Sequence, residues 1–255
     1  DVNISLNGQS LLYYSLKMNC QEIAEEILEN DKFDPIKSDF INVFMSIFFP
    51  SKTYTINSII DKFNLLINYD EEHSHLIDFT KLLPNGKSFF SLITQNTNNV
   101  GPLVELFFEK NVDPNLPDKS GIYPLQYAIM NNLSVLFNLL LNSERIDLSV
   151  RLSGDSPFKM SNETFLHFAA RYQAHIFFES ILRKNVIDIN SVDDFGDTPL
   201  IKACMFRRST TITILFRCEN LDYTHCNKNG DDALKVIQIM QSNNFQKSRG
   251  LQIHI

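Results

Sequence analysis

Few side chains in this 255-residue chain are of the types and spacing that do chemistry. Cys218, His225 and Cys226 lie close together and are of the types that hold a soft metal ion. Zinc sites, however, draw four ligands from short paired spacings. A fourth ligand is lacking here, and a His directly abutting a Cys is awkward for one ion. His73-Ser74-His75 follows Asp70-Glu71-Glu72 and reads as a solvated acidic turn. The sequence contains no G-x-x-x-x-G-K-[ST] phosphate loop, no G-x-S-x-G elbow and no H-E-x-x-H zinc signature. A Cys and a His could still meet in space, but nothing in the sequence calls for a pocket around such a pair. The expectation is a non-enzyme with no metal, no cofactor and no small-molecule substrate.

Composition narrows the partners. The formal net charge is −7, whereas nucleic-acid binding needs a basic stripe that displaces counterions from phosphates. Arg207-Arg208 is a basic pair without basic neighbours, so a nucleic-acid partner is not expected. Cys20, Cys204, Cys218 and Cys226 form no disulfide framework of the secreted kind. The longest apolar run, Val43 to Phe49, stops at Pro50 and is far too short to span a bilayer. These features predict an intracellular, cytoplasmic protein without membrane insertion; the nucleus, or a host cytosol for a microbial effector, fits equally. The first residue is Asp1, which reads as a segment of a longer protein.

The elements that would position any site are set by a recurring phrase. Gly121-Ile122-Tyr123-Pro124-Leu125-Gln126-Tyr127-Ala128 returns as Gly196-Asp197-Thr198-Pro199-Leu200-Ile201-Lys202-Ala203. Looser copies begin at Gly8, Gly86, Asn162 and Gly230. Asn162 to Gly196 and Gly196 to Gly230 are each 34 positions, and Gly86 to Gly121 is 35. The step from Gly121 to Asn162 is 41 and carries extra loop near Arg151 to Pro157. Between Gly8 and Gly86 a degraded copy is expected, with Asp39 in the place of the glycine. Fixed-period self-similarity of this kind marks a repeat architecture.

Each copy reads as helix, short turn, helix and polar loop. Pro124 suits a first helical turn, and Asn131-Asn132 ends that helix. Val135, Leu136, Leu139 and Leu140 then form the buried stripe expected of a second helix. Neither helix can bury its apolar face alone, so stability must come from stacking neighbours. The abundant Phe residues are read chiefly as core. At the far end a first helix is expected to run to about Met240, where Gln241-Ser242-Asn243-Asn244 turns polar; capping and truncation both fit that tail.

On these phrases, and on the exits Asn111-Val112-Asp113-Pro114-Asn115 and Val186-Ile187-Asp188-Ile189-Asn190, the chain resembles the ankyrin-repeat family. The resemblance implies an all-α solenoid of stacked helix-turn-helix units with projecting β-turn or hairpin loops. The expected repeats are 5–37, 38–82 (degenerate), 83–117, 118–158, 159–192, 193–226 and 227–255 (terminal or partial). It also implies that His167 ties adjacent loops. The inter-helix glycine of the family is missing, with Asn132, Ala174 and Ser209 near its place.

In that family a partner protein is gripped by the concave face of loop tips and first-helix ends. Carried over, the expected partner-binding residues are Ile122, Met130, Asn131, Arg171, Tyr172, Asp194, Phe195, Asp197, Met205 and Phe206. Ile122 and Phe195 are apolar where a loop tip has no need of it. Two placements stay open for Tyr172 and Phe206: outward as binding residues, or inward as filler of the stack. Function is expected to be that of a protein-interaction scaffold. The alternative is a docking or regulatory region of a larger enzyme, channel or effector.

Overall fold

A computed structural model describes residues 1–48, 55–93, 100–154, 160–172 and 174–248, the side chains of 153, 154, 160 and 243–248 excepted. Phe49, Pro50 and the turn expected at 155–157 lie outside the described residues. The chain divides into two compact halves, residues 1–113 and 114–255.

The first half begins with a small hairpin, β1 (Ser5–Leu6) and β2 (Gln9–Ser10), that leads into α1 (Leu11–Lys17) and α2 (Gln21–Leu28). Ser10 accepts the Tyr13 amide at 3.2 Å and caps α1, a bond of a kind worth about 1 kcal/mol. Then come α3 (Phe40–Ser46), α4 (Ile56–Tyr69), α5 (Phe89–Leu92) and α6 (Gly101–Glu109). Their core is a cluster of rings: Phe63 lies 5.5 Å from Phe44 and 5.7 Å from Phe107, and Phe89 lies 5.8 Å from Phe107. Such tilted and edge-on pairs add to what burial alone supplies. A π-helical turn, Asp70–Ser74, follows α4. Buried Asp70 accepts Ser74 Oγ, Leu76 N and Ile77 N there, so it is a turn anchor and not part of a solvated face.

The second half holds α7 (Pro124–Met130), α8 (Ser134–Asn142), α9 (Phe165–Arg171), α10 (His175–Arg183), α11 (Pro199–Met205), α12 (Ser209–Leu215) and α13 (Ala233–Ser248). The extra residues of the 41-residue step end in paired strands, β3 (Leu152–Gly154) and β4 (Met160–Glu163), joined antiparallel with Leu152 opposite Glu163. The stripe of α8 is one position later than its expected phase. Leu136, Phe137, Leu140 and Leu141 are buried, while Val135 is exposed. α13 likewise does not stop at the polar run after Met240 but continues through it.

Register rests on one backbone conformation. Gly8, Gly86, Gly121, Gly196 and Gly230 all have φ between 74° and 77°, and Asn162 has φ 60°. Each stands three positions before its helix. Asp39 also has positive φ, 53°, but it directly precedes Phe40. It is therefore a left-handed entry residue of α3 and does not replace the glycine.

The cost of a side chain differs between two of these glycines. A Cβ on Gly196 would meet Lys228 N at 3.0 Å, whereas one on Gly230 would meet nothing within 4 Å. Gly230→Ala is expected to lose roughly 1 kcal/mol from its left-handed backbone alone. Gly196→Ala should lose clearly more, because the backbone of the next loop must also move. Urea unfolding of both variants measures the difference; equal losses would mean that the two loops do not touch as described.

The inter-helix position also takes positive φ: Asn19 58°, Asn132 54° and Arg207 56°. The equivalent of Asn132 is thus Arg207 and not Ser209. Asparagine tolerates this region, whereas arginine occupies it at a cost on the order of 1 kcal/mol.

Candidate protein interface

The loops that precede α7, α11 and α13 share one hydrogen-bond scheme. Asp118 Oδ1 accepts the amides of Ser120 and Ile122, Asp193 Oδ1 those of Phe195 and Asp197, and Asn227 Oδ1 those of Asn229 and Asp231. The scheme turns the side chain two positions before each helix inward. Ile122 is only 7% exposed and Asp197 only 3%. Both were expected to face a partner, and both instead belong to the interior. The residue at the tip itself stays outside: Asp194 is exposed, and Phe195 is 56% exposed.

Successive loops are tied edge to edge. The Asp194 amide donates to Ser161 O at 3.0 Å, and the Lys228 amide to Phe195 O at 3.0 Å. His167 Nε2 donates to Asp197 O at 2.9 Å, while its Nδ1 accepts from Thr164 N and Oγ1. These partners select the neutral tautomer with the proton on Nε2. Burial holds the imidazole pKa down, at about 4. His225 plays a comparable part, with Nε2 2.9 Å from Gly196 O. Cys226 Sγ lies near Thr224 O and Cys218 Sγ near Ile214 O, so the three residues weighed as metal ligands each have a different local partner.

Beneath the tips runs an ionic ladder, buried at Glu163, Asp193, Asp197 and Lys202 and open to solvent at Lys235. Glu163, Asp197 and Asp231 occupy the same register in consecutive repeats, 34 positions apart. Lys202 Nζ is 2.7 Å from Asp193 Oδ2, 2.9 Å from Asp197 Oδ2 and 3.7 Å from Glu163 Oε1. Arg171 pairs with Glu163, and Lys235 with Asp231 at 2.5 Å. Asn227 Nδ2 adds a bond to Asp197 Oδ1 at 2.8 Å. Burial works against the charge on Lys202, but its bonds to Asp193 and Asp197 carry its pKa above the ordinary lysine value. Burial raises the carboxyl of Glu163 in spite of Arg171 and Lys202. In the loop-and-helix unit of α7, at the position equivalent to Lys202, the Tyr127 hydroxyl donates to Asp118, and burial raises its phenol.

The ladder meets the surface at two aromatic rings. Lys202 Nζ sits 5.4 Å from the centre of the Phe195 ring, and the Arg171 guanidinium 5.5 Å from that of Phe206. Both distances are within reach of a cation–π attraction. Phe206 is 41% exposed and lies outward. Tyr172 is half-buried against Phe168, with ring centres 4.7 Å apart. Arg171 is largely covered by its pairing with Glu163. Met205 is half-buried and, with Phe195, lines a groove of about 320 Å³ that also takes in Val236, Ile239, Met240 and Asp231. The structure thus brings Phe195 together with Met205, and Arg171 with Phe206. Met130 (half-buried) and Asn131 (exposed) end α7, away from these two groups in the sequence, with Asn131 Nδ2 bonded to Tyr127 O.

This geometry, helix pairs in register with loops tied along one edge, is that of ankyrin repeats. Residues 90–193 match the family described as "Ankyrin repeats (3 copies)", and the fold class is all-α ankyrin repeats. Among curated proteins the chain is similar to alpha-latrotoxin-Lg1a of Latrodectus geometricus, 27% identical over 196 residues. That match takes in 73% of this chain and 14% of the toxin. It is also similar to the neurogenic locus notch homolog protein 1 of Xenopus tropicalis, 27% identical over 110 residues, 43% of this chain and 4% of that protein. The chain therefore spans only a small part of either relative. A chain in the solved complex of a predatory endopeptidase of Bdellovibrio bacteriovorus with an immunity protein shares the fold. The TM-score is 0.56 at 21% identity, over 71% of this chain and 88% of that one. Ankyrin repeats as a class are protein-interaction modules, in general without catalysis of their own. Among the described residues no helix is long and apolar enough to cross a membrane.

Proposed function

We propose that this chain is a scaffold that binds a partner protein through the loop tips and first-helix ends of its second half, centred on Phe195 and Phe206. The observation that carries it is the pairing of each exposed ring with a cation anchored in the ladder. Apolar rings exposed to water cost free energy in the unbound state. Rings already held in place lose little conformational entropy when a partner covers them, and aromatic residues dominate binding hot spots. Asp194, Met205 and Tyr172 surround these anchors, with Arg171 acting from below. Met130 and Asn131 would extend the surface toward α7. Ile122 and Asp197 act inside the loops and have no direct part in it. Because the matching stretch is a small fraction of both curated relatives, we place the chain as an interaction region that can serve a larger protein.

The test is site-specific photo-crosslinking. A benzophenone amino acid placed at Phe195 or Phe206 should capture the same protein, and one placed at exposed Ile176 on α10 should not. Capture of the same protein from Ile176 alone would overturn the assignment of the surface.

A further inference from the structure

We propose, resting on the reading that Phe195 and Phe206 face a partner protein, that the groove beside Phe195 takes one large apolar side chain from a basic segment of that partner. The residue that enters would have lysine or arginine next to it. The apolar walls of the groove are Phe195, Met205, Val236, Ile239 and Met240. Register accounts for its being open. Val236 stands six positions after Gly230, as Lys202 stands six after Gly196. From that place Lys202 reaches Asp193 and Asp197 beneath its own loop. A valine is too short and too apolar to do so, and Asp231 pairs instead with Lys235, which is open to solvent. The ionic ladder stops at this step, and an apolar trough takes its place. Two methionines in the walls can adjust to the shape of an incoming side chain.

The loop tips supply an independent observation. Asn7, Asn85, Ser120, Ser161, Phe195 and Asn229 each stand one position before the positive-φ residue of their loop. All are small and polar except Phe195, which is 56% exposed and borders the groove. Charge then selects the occupant. The two loops at the groove carry Asp193, Asp194, Asp197, Asp231 and Asp232 against Lys228, and the helices that follow add Lys202 and Lys235. Lys202 is committed to Asp193 and Asp197, and Lys235 to Asp231. Among the described residues, exposed Asp194 and half-buried Asp232 have no cation within ion-pair distance. Even with Arg207, which donates to Met240 O, the balance stays acidic. A basic segment is therefore drawn in and an acidic one repelled, which governs the choice of partner more than the strength of binding.

The experiment is selection of a phage-displayed random peptide library on the intact chain, followed by titration of the selected peptides. They should share an apolar residue next to lysine or arginine. Changing that apolar residue to serine should weaken binding about tenfold or more. Changing the basic residue to glutamine should weaken it roughly twofold to fivefold, a loss that high salt removes. Ile239→Lys places a cation in the groove from a helix position that is 39% exposed, so the variant should fold and bind at least about tenfold more weakly. Phe195→Ser gives the loop the tip residue of its neighbours and should have the same effect. Acidic residues in place of basic ones among the selected peptides would overturn the partner chemistry. Equal enrichment on the Ile239→Lys chain would overturn the groove. Peptides weakened by Phe206→Ala but by neither groove substitution would overturn the groove and leave the wider surface standing. Peptides weakened by none of the three would overturn both.

Discussion

Replacing Lys202 by methionine is expected to destabilise the second half by roughly 3–5 kcal/mol, the scale of a buried ion pair broken from one side. The methionine keeps much of the volume of the lysine stem. What is lost is the ammonium between Asp193 and Asp197, 2.7 and 2.9 Å from their carboxylates, with Glu163 at 3.7 Å. Three buried carboxylates would then face only Arg171 among these cations. The penalty should narrow on acidification, because Glu163, its pKa already raised by burial, takes up a proton and relieves the repulsion. Urea unfolding of both proteins at neutral and mildly acidic pH measures this. A loss below about 1 kcal/mol would show that water reaches the cluster, as in exposed pairs. Phe195 should also lose its fixed position, since the cation beneath its ring is gone.

Acid should weaken the same region through His167. Its imidazole titrates at about 4 in the fold, against an ordinary value near 6.5, because burial disfavours the charged form. Above about pH 6.5 the ring is neutral in both states and contributes no pH dependence. As pH falls from there the unfolded chain gains a proton that the fold refuses, so stability declines. The decline ends near pH 4, below which both states are protonated, and amounts to about 3 kcal/mol. Glu163 acts in the opposite sense: its raised pKa favours the folded state as pH falls through that value. Comparison with His167→Gln, which removes the imidazole titration, isolates the histidine. If both proteins lose the same stability between pH 6.5 and 4, the ring is not the buried, neutral tie described here.

Much of the fold was legible because the loop glycines answer a backbone demand. Only a residue that accepts positive φ fits three positions before α1, α5, α7, α11 and α13, and Gly8, Gly86, Gly121, Gly196 and Gly230 meet it. Asp39 has a similar torsion at a different place, directly before its helix, so it is not the equivalent of the loop glycine. The candidate site was only partly legible, since a turn decides which of its neighbours point inward. Phe195 and Asp197 are two positions apart in one loop, yet Asp193 Oδ1 binds both amides and leaves only the ring outside. Ile122 obeys the same rule and is buried. The ionic ladder did leave a signal: acids spaced by 34 at Glu163, Asp197 and Asp231, with Arg171, Lys202 and Lys235 following. Its meaning depended on burial, which periodicity alone does not give. The phase of α8 was misread by one position because apolar residues run together, from Val135 to Phe137 and from Leu139 to Leu141. Two stripes one position apart are then equally continuous, and only packing decides between them.

The most direct test of the proposed surface uses the partner identified by crosslinking, in a purified binding titration against a Phe195→Ala, Phe206→Ala double variant. Both rings are substantially exposed, so unfolding should change by no more than about 1 kcal/mol. Hot-spot truncation of two anchors should weaken binding at least a hundredfold, from roughly 2 kcal/mol or more for each residue. Wild-type affinity in the folded double variant would contradict the account.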